Sequence, residues 1–155
     1  PWGHVWTHGG PHPIIPGVYA DNAPLIGPAG TVHLSMPDLA RYGKVHLEIA
    51  RGESPLWKGE AFEQLHAAPS GDGERSYAAG WVIDERPFVN GELVHHNGSN
   101  SYWYAHLAFA PEDNQVFFCA TNYFWRSKSA ETCEVFFEHL AHFAPIWIQG
   151  AKDAG

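Results

Sequence analysis

The residues of greatest chemical potential in this chain are consecutive: His95, His96, Asn97, Gly98, Ser99 and Asn100. A short apolar rise, Leu93-Val94, precedes them, and the aromatic run Tyr102-Trp103-Tyr104 follows. A Gly-Ser step directly after a strand-like segment lets another molecule approach the backbone closely. The flanking His and Asn supply groups that can hold it and exchange protons with it. The run reads as part of an active-site wall. His95 and His96 alternate along a strand, so they face opposite sides, and His96 is the expected cleft residue. Asn100 and Tyr102 either line that cleft or pack structurally. The plainer reading of the whole run is a Gly-Ser turn between strands with a half-buried histidine.

Other candidates for chemistry are weaker. His4, His8 and His12 stand four residues apart, a spacing that suits metal ligands on a helix, but Gly9-Gly10-Pro11 makes a helix there improbable. They read as loop histidines, with a metal site as the lesser alternative. The two cysteines, Cys119 and Cys133, fall on apolar patterns, one strand-like and one helix-like. They are expected as buried free thiols, with a single bridge as the alternative, and neither has a histidine placed beside it as a nucleophile needs. Trp2, Trp6 and Tyr19 are expected to clamp the helical region hydrophobically more than to border a pocket.

The elements that must position these residues change character along the chain. Residues 1–30 are rich in Pro and Gly and read as irregular. Ser35-Met36-Pro37-Asp38 predicts a capped helix start, with Leu39, Tyr42, His46, Leu47 and Ile49 at helical spacing and Gly52 closing it. A shorter helix is expected from Lys58 to His66, then a turn from Pro69 to Gly73. Strands are expected over Tyr77–Ile83, Leu93–His96, Tyr102–Ala110 and Gln115–Thr121, the last two joined as a hairpin by Pro111-Glu112-Asp113-Asn114. Ser129–Phe143 reads as a helix stopped by Pro145. Its stripe of Cys133, Phe136, Phe137, Leu140 and Phe143 is expected to be core.

This order gives an α+β fold: an antiparallel sheet with a C-terminal helix packed on it, preceded by a loop-rich helical region. Residues 1–75 form the loop-rich and helical segment and 76–155 the sheet and last helix, together one structural unit. Three or four strands with one helix make a thin object, so one face of the sheet is expected to lack a cover.

Composition bounds the function. At 155 residues, 45% hydrophobic and 14% aromatic, the chain can bury a real core. A formal charge of −8 argues against nucleic acid or an anionic membrane as partner. No stretch approaches the roughly 18 apolar residues of a membrane span. The chain opens on Pro1 instead of Met, which fits a processed product or a truncation.

Several strings together resemble the serine β-lactamase-related family, which includes class C β-lactamases, D,D-peptidases, D-aminopeptidases and family VIII-type esterases. Gly27-Pro28-Ala29-Gly30-Thr31-Val32-His33-Leu34-Ser35, followed by Asp38-Leu39-Ala40-Arg41-Tyr42, resembles its helical region. Tyr77-Ala78-Ala79-Gly80-Trp81 resembles the Tyr-x-x-Gly-Trp step leading into its active-site sheet. His96-Asn97-Gly98 resembles the His-x-Gly form of its third catalytic box, and Tyr102-Trp103-Tyr104, Ala110-Pro111-Glu112 and Ala120-Thr121-Asn122 resemble the hairpin beyond it.

The resemblance implies the C-terminal portion of a β-lactamase/transpeptidase-like fold and hydrolysis of an ester or amide through an acyl-serine intermediate. It assigns His96 and Ser99 as catalytic, Ser99 through a backbone N–H in the oxyanion hole. Asn97, Gly98, Asn100 and Tyr102 become substrate-binding. No cofactor and no metal is implied. The family's first two boxes, Ser-x-x-Lys and Tyr-x-Asn, do not occur in these residues. The implied partner is therefore an N-terminal part of the same enzyme carrying them, or a second copy, with a small ester or amide as substrate. The isolated chain is expected to be inactive. The alternative is a non-enzymatic binding or pseudoenzyme module that self-associates. Many family members are periplasmic or secreted, which leaves the compartment of this chain open.

Overall fold

The computed structural model describes residues 1–17, 20–55, 57–67 and 75–153. In chain order it holds β1 (His4–Thr7), β2 (Gly10–Pro13), a 3-10 turn at Pro24–Ile26, α1 (Gly27–Gly30), α2 (Met36–Ala50), α3 (Glu60–Glu63), β3 (Arg75–Ala78), β4 (Trp81–Glu85), β5 (Glu92–Ser99), β6 (Tyr104–Ala110), β7 (Gln115–Thr121) and α4 (Arg126–Asp153). β3 to β7 form one antiparallel sheet in sequence order, and β1 pairs with β2 separately. The architecture is α+β.

α2 begins as its sequence dictates. Ser35 is extended, its hydroxyl oxygen accepts from the Asp38 N–H at 3.3 Å, and Pro37 sits in the first turn, where a missing N–H costs nothing. The inward residue Leu47 packs with Trp81, Ile83, Val94, Leu107 and Phe109 on one face of the sheet. Gly43 allows the approach: a Cβ there would lie within 3.2 Å of both Val116 and Leu107 side chains. On the other face Phe137 of α4 packs with Leu93, Ala108, Ala110 and Phe117. Phe109 and Phe137 are fully buried, and each such side chain contributes about 1.5–3 kcal/mol. The sheet therefore has five strands and a helix on each face, not the three or four strands and bare face expected.

Other expectations are corrected. Tyr77–Ile83 is not one strand: Ala79 (φ 46°) and Gly80 (φ 95°) are left-handed and fold the run into the β3–β4 hairpin, the pattern of a two-residue type I′ turn. The N-terminal residues are not wholly irregular, since β1 and β2 pair from His4↔Pro13 to Thr7↔Gly10. α3 covers Glu60–Glu63 only, less than the Lys58–His66 expected. The turn expected at Pro69–Gly73 lies outside the described residues, as does Tyr19.

α4 starts at Arg126 and continues through Pro145 to Asp153. A proline removes one donor and crowds the carbonyl four residues before it, which penalises a helix without forbidding it. The stripe on α4 is also narrower than the sequence suggests. Cys133 and Phe137 are buried, but Phe136 and Phe143 are exposed, because a helix lying on a sheet buries only the face turned toward it.

Cys119 and Cys133 are not free thiols: they form a disulfide with a Cα–Cα separation of 5.6 Å. Cys119 shares a strand face with Phe117, and Cys133 is on the turn of α4 that lies against that face. The pairing follows from the docking of α4 on β7. Neither sequence pattern carries it.

Candidate active-site wall

Strand β5 is longer than its neighbour β4, and this mismatch makes the site. β6 pairs with β5 from Val94 to Ser99, whereas β4 pairs with it only from Glu92 to His95. The turn at Ala79–Gly80 ends β4 before it can reach further. His96 to Ser99 consequently have β6 on one side and no strand on the other, and their backbone makes no further hydrogen bond among the described residues. Successive residues of an antiparallel strand turn their N–H and C=O to alternate sides, so half of this segment offers both groups to the open edge.

The pleat sorts the side chains. His96 and Gly98 project to the α2 side of the sheet, and His95, Asn97 and Ser99 to the α4 side. His96 is exposed, and its Nε2 stands 3.5 Å from the Tyr77 hydroxyl. A Cβ built on Gly98 would meet nothing within 4 Å, so packing does not require glycine there and the space above it is free. The Ser99 hydroxyl is engaged locally, accepting from the Ser101 N–H at 2.9 Å.

Asn100 serves the turn that follows. Its Oδ1 accepts from the N–H groups of Tyr102 and Trp103, each at 3.2 Å, and its Nδ2 donates to the Ala20 carbonyl at 3.3 Å. Tyr102 is half-buried, and its carbonyl accepts from the His4 N–H at 3.3 Å. Of the six residues singled out from sequence, the structure thus joins His96, Gly98 and the backbone of Ser99 along one edge. Asn97 points to the far side, and Asn100 and Tyr102 shape the adjoining turn. Tyr77 is the residue that sequence reasoning missed: it stood in the Tyr-x-x-Gly-Trp step but was used only as a landmark.

The N-terminal hairpin closes on this end of the sheet and not on the helical region. The Trp103 indole N–H donates to the Pro1 carbonyl at 3.1 Å, Asn122 Nδ2 donates to the Trp2 carbonyl at 3.1 Å, and His4 Nδ1 donates to the Asn122 carbonyl at 3.0 Å. Trp6 stacks on Trp125 with ring centroids 5.5 Å apart. His4 is thereby held by a carbonyl, and His8 and His12 are exposed. Among the described residues, no three His, Cys, Asp or Glu side chains converge to hold a metal ion.

A polar array lies buried on the α4 side of β5. His95 Nδ1 is 3.1 Å from His106 Nε2, and His95 Nε2 is 3.3 Å from Asp84 Oδ1. Asp84 also meets Arg86 at 3.0 Å and Arg75 at 3.9 Å, and Arg86 meets Glu134 of α4 at 3.4 Å. His95 and His106 are each 2% exposed. Burial lowers both, His106 to about 3 with the neighbouring His95, Arg86 and His96 adding to the effect. For His95 the Asp84 carboxylate opposes the burial. Burial and the nearby Glu134 push the Tyr104 hydroxyl up to about 12.

A second imidazole pair lies on the opposite face. His46 Nδ1 is 2.9 Å from His66 Nε2, among the rings of Trp81 and Phe109. Burial lowers both, and His46 helps bring His66 to about 4. Neither pair was legible in sequence, since partners 11 and 20 residues apart share no motif.

No family model matches the chain, and no curated protein matches it. Among the described residues no helix is long and apolar enough to cross a membrane.

Proposed function

We propose that this chain forms one wall of the acyl-transfer site of a serine hydrolase acting on a small ester or amide, and that the open edge of β5 is that wall. The observation that carries the reading is the unpaired His96–Ser99 edge with vacant space over Gly98. An extended acyl group or peptide lies along such an edge as an added strand, held by main-chain hydrogen bonds. The Ser99 N–H donates to the oxyanion that develops on the carbonyl, an interaction worth roughly 3–4 kcal/mol in such sites. His96 and Tyr77, 3.5 Å apart, supply two donors for a substrate carboxylate or carbonyl.

The nucleophile and its proton acceptor come from a segment with Ser-x-x-Lys and Tyr-x-Asn boxes, which these 155 residues do not contain. A histidine where penicillin-recognising relatives of the resembled family carry lysine favours an ester or peptide over a β-lactam. The test assays a protein carrying both parts against p-nitrophenyl esters and nitrocefin. Ester turnover is expected, and rapid nitrocefin turnover without esterase activity overturns the substrate assignment. The chain alone is expected to resist a fluorophosphonate probe. Covalent labelling of any of its residues refutes the proposed division of labour, and a stable 17.2 kDa species with no companion segment supports a binding module instead.

A further inference from the structure

We propose that Asp84, His95 and His106 form a proton-sensitive brace that ties β4, β5 and β6 together behind the open edge and lets the His96–Ser99 segment loosen when the surroundings turn acidic. The brace acts on β5 whatever that strand serves; only its bearing on turnover rests on the hydrolase reading above.

The argument starts from which atoms can donate. The Asp84 carboxylate lies 3.3 Å from His95 Nε2 without the alignment of a hydrogen bond, and its charge favours the proton on that nitrogen, which keeps Nδ1 as an acceptor. His106 must then carry its proton on Nε2 to donate across the 3.1 Å contact. Its Nδ1 is left as a bare lone pair, buried and without a partner among the described residues. In this single arrangement the three side chains hold three neighbouring strands. His95 also stands in register with Val82 of β4 and Ala108 of β6, so the brace grips β5 at the last position where β4 supports it.

A proton has no good place to go. If His95 becomes the cation, its Nδ1–H donates to His106, whose own proton moves to Nδ1 and faces no acceptor. A buried donor without a partner is costly. If both rings are charged, two cations sit 3.1 Å apart. With one proton the contact survives only by orphaning a buried donor on His106, and with two it is lost.

The surroundings do not relieve it. Arg75 of β3 and Arg86 beyond β4 bring positive charge, and His96 adds more when protonated. Glu134 of α4 is engaged with Arg86, and Tyr104 of β6 presents a neutral hydroxyl with no partner among the described residues. β7 contributes no titrating group here, as Cys119 is in its disulfide.

The test is hydrogen exchange on the 155-residue chain by mass spectrometry at about pH 7 and about pH 5, with intrinsic rates divided out. Protection of peptides covering Glu92–Ser99 is expected to fall by about tenfold or more while α2 keeps most of its protection. In His106→Asn, which retains a donor but does not titrate, that difference should vanish. Unchanged β5 protection in the native chain overturns the proposal. So does an equal fall in His106→Asn, or a fall shared equally by α2, which marks global unfolding. Should His106→Asn not fold, imidazole nitrogen NMR on the native chain decides. Protons on Nε2 of both His95 and His106 at neutral pH are required, and a proton on His106 Nδ1 refutes the brace.

Discussion

Residues Glu92 to His95 of β5 lie between β4 and β6, whereas among the described residues His96 to Ser99 have β6 on one side and no strand on the other. In the first half Leu93, Val94 and His95 are buried between the two helices. In the second half His96, Asn97, Gly98 and Ser99 are all exposed. One strand thus serves as core and as candidate binding edge within eight residues. The difference is made by β4, which ends early because Ala79–Gly80 turns it back. The first half has a strand on each side and buries Leu93, Val94 and His95. It can therefore hold the second half in extended form with its hydrogen-bonding groups unspent.

The contrast can be broken hardest in the buried half. Phe109→Ala removes the ring opposite Val94 and is expected to cost about 3–5 kcal/mol, read as a lower urea midpoint. In the open half the largest effect falls on turnover. Ser99→Pro in the two-part hydrolase deletes the proposed oxyanion donor and is expected to lower kcat about 10²–10³-fold with the fold intact. A collapse of stability instead puts that N–H on the β6 side of the strand.

Removing the Cys119–Cys133 bond by double substitution to serine is expected to cost about 3 kcal/mol, since it closes a loop of about 15 residues. That loss should weaken α4 and leave exchange at the open edge unchanged. Acid gives a graded effect. His106 and His66 titrate near 3 and 4 when folded, below their ordinary value of 6.5. The unfolded chain therefore binds more protons as pH falls below about 6.5, and stability declines by at most about 1.4 kcal/mol per pH unit for each proton. A Tm series from neutral to about pH 4 measures it, and a flat profile contradicts the neutral buried pairs. The smallest stability change is expected for Gly98→Ala, within about 0.5 kcal/mol, because its Cβ enters free space. The same substitution should lower kcat/KM in the proposed two-part enzyme, where substrate would fill that space.

Much of the fold was legible where a local signal sufficed. The Ser35 cap with Pro37 marked the start of α2, and Pro111–Asn114 joined two strands as the β6–β7 hairpin. The alternation of His95 and His96 put them on opposite faces of the sheet. What escaped depended on partners distant in sequence. The Ala79–Gly80 turn was hidden inside an apolar run that reads equally well as one strand. Nothing local marks Asp84 or His106 as buried partners of His95, and the two cysteines read as separate core positions.

By itself, the sequence determined the secondary elements with strong caps or turns, the α+β class and the Gly98–Ser99 step. These rest on backbone preferences and on side-chain periods of two and 3.6, which act over a few residues. Tertiary structure alone decided the open edge of β5, the disulfide between β7 and α4, and the buried arrays at Asp84–His95–His106 and His46–His66. Each exists only when strands and helices far apart in the chain dock, and docking sets which polar groups lose water and which find one another.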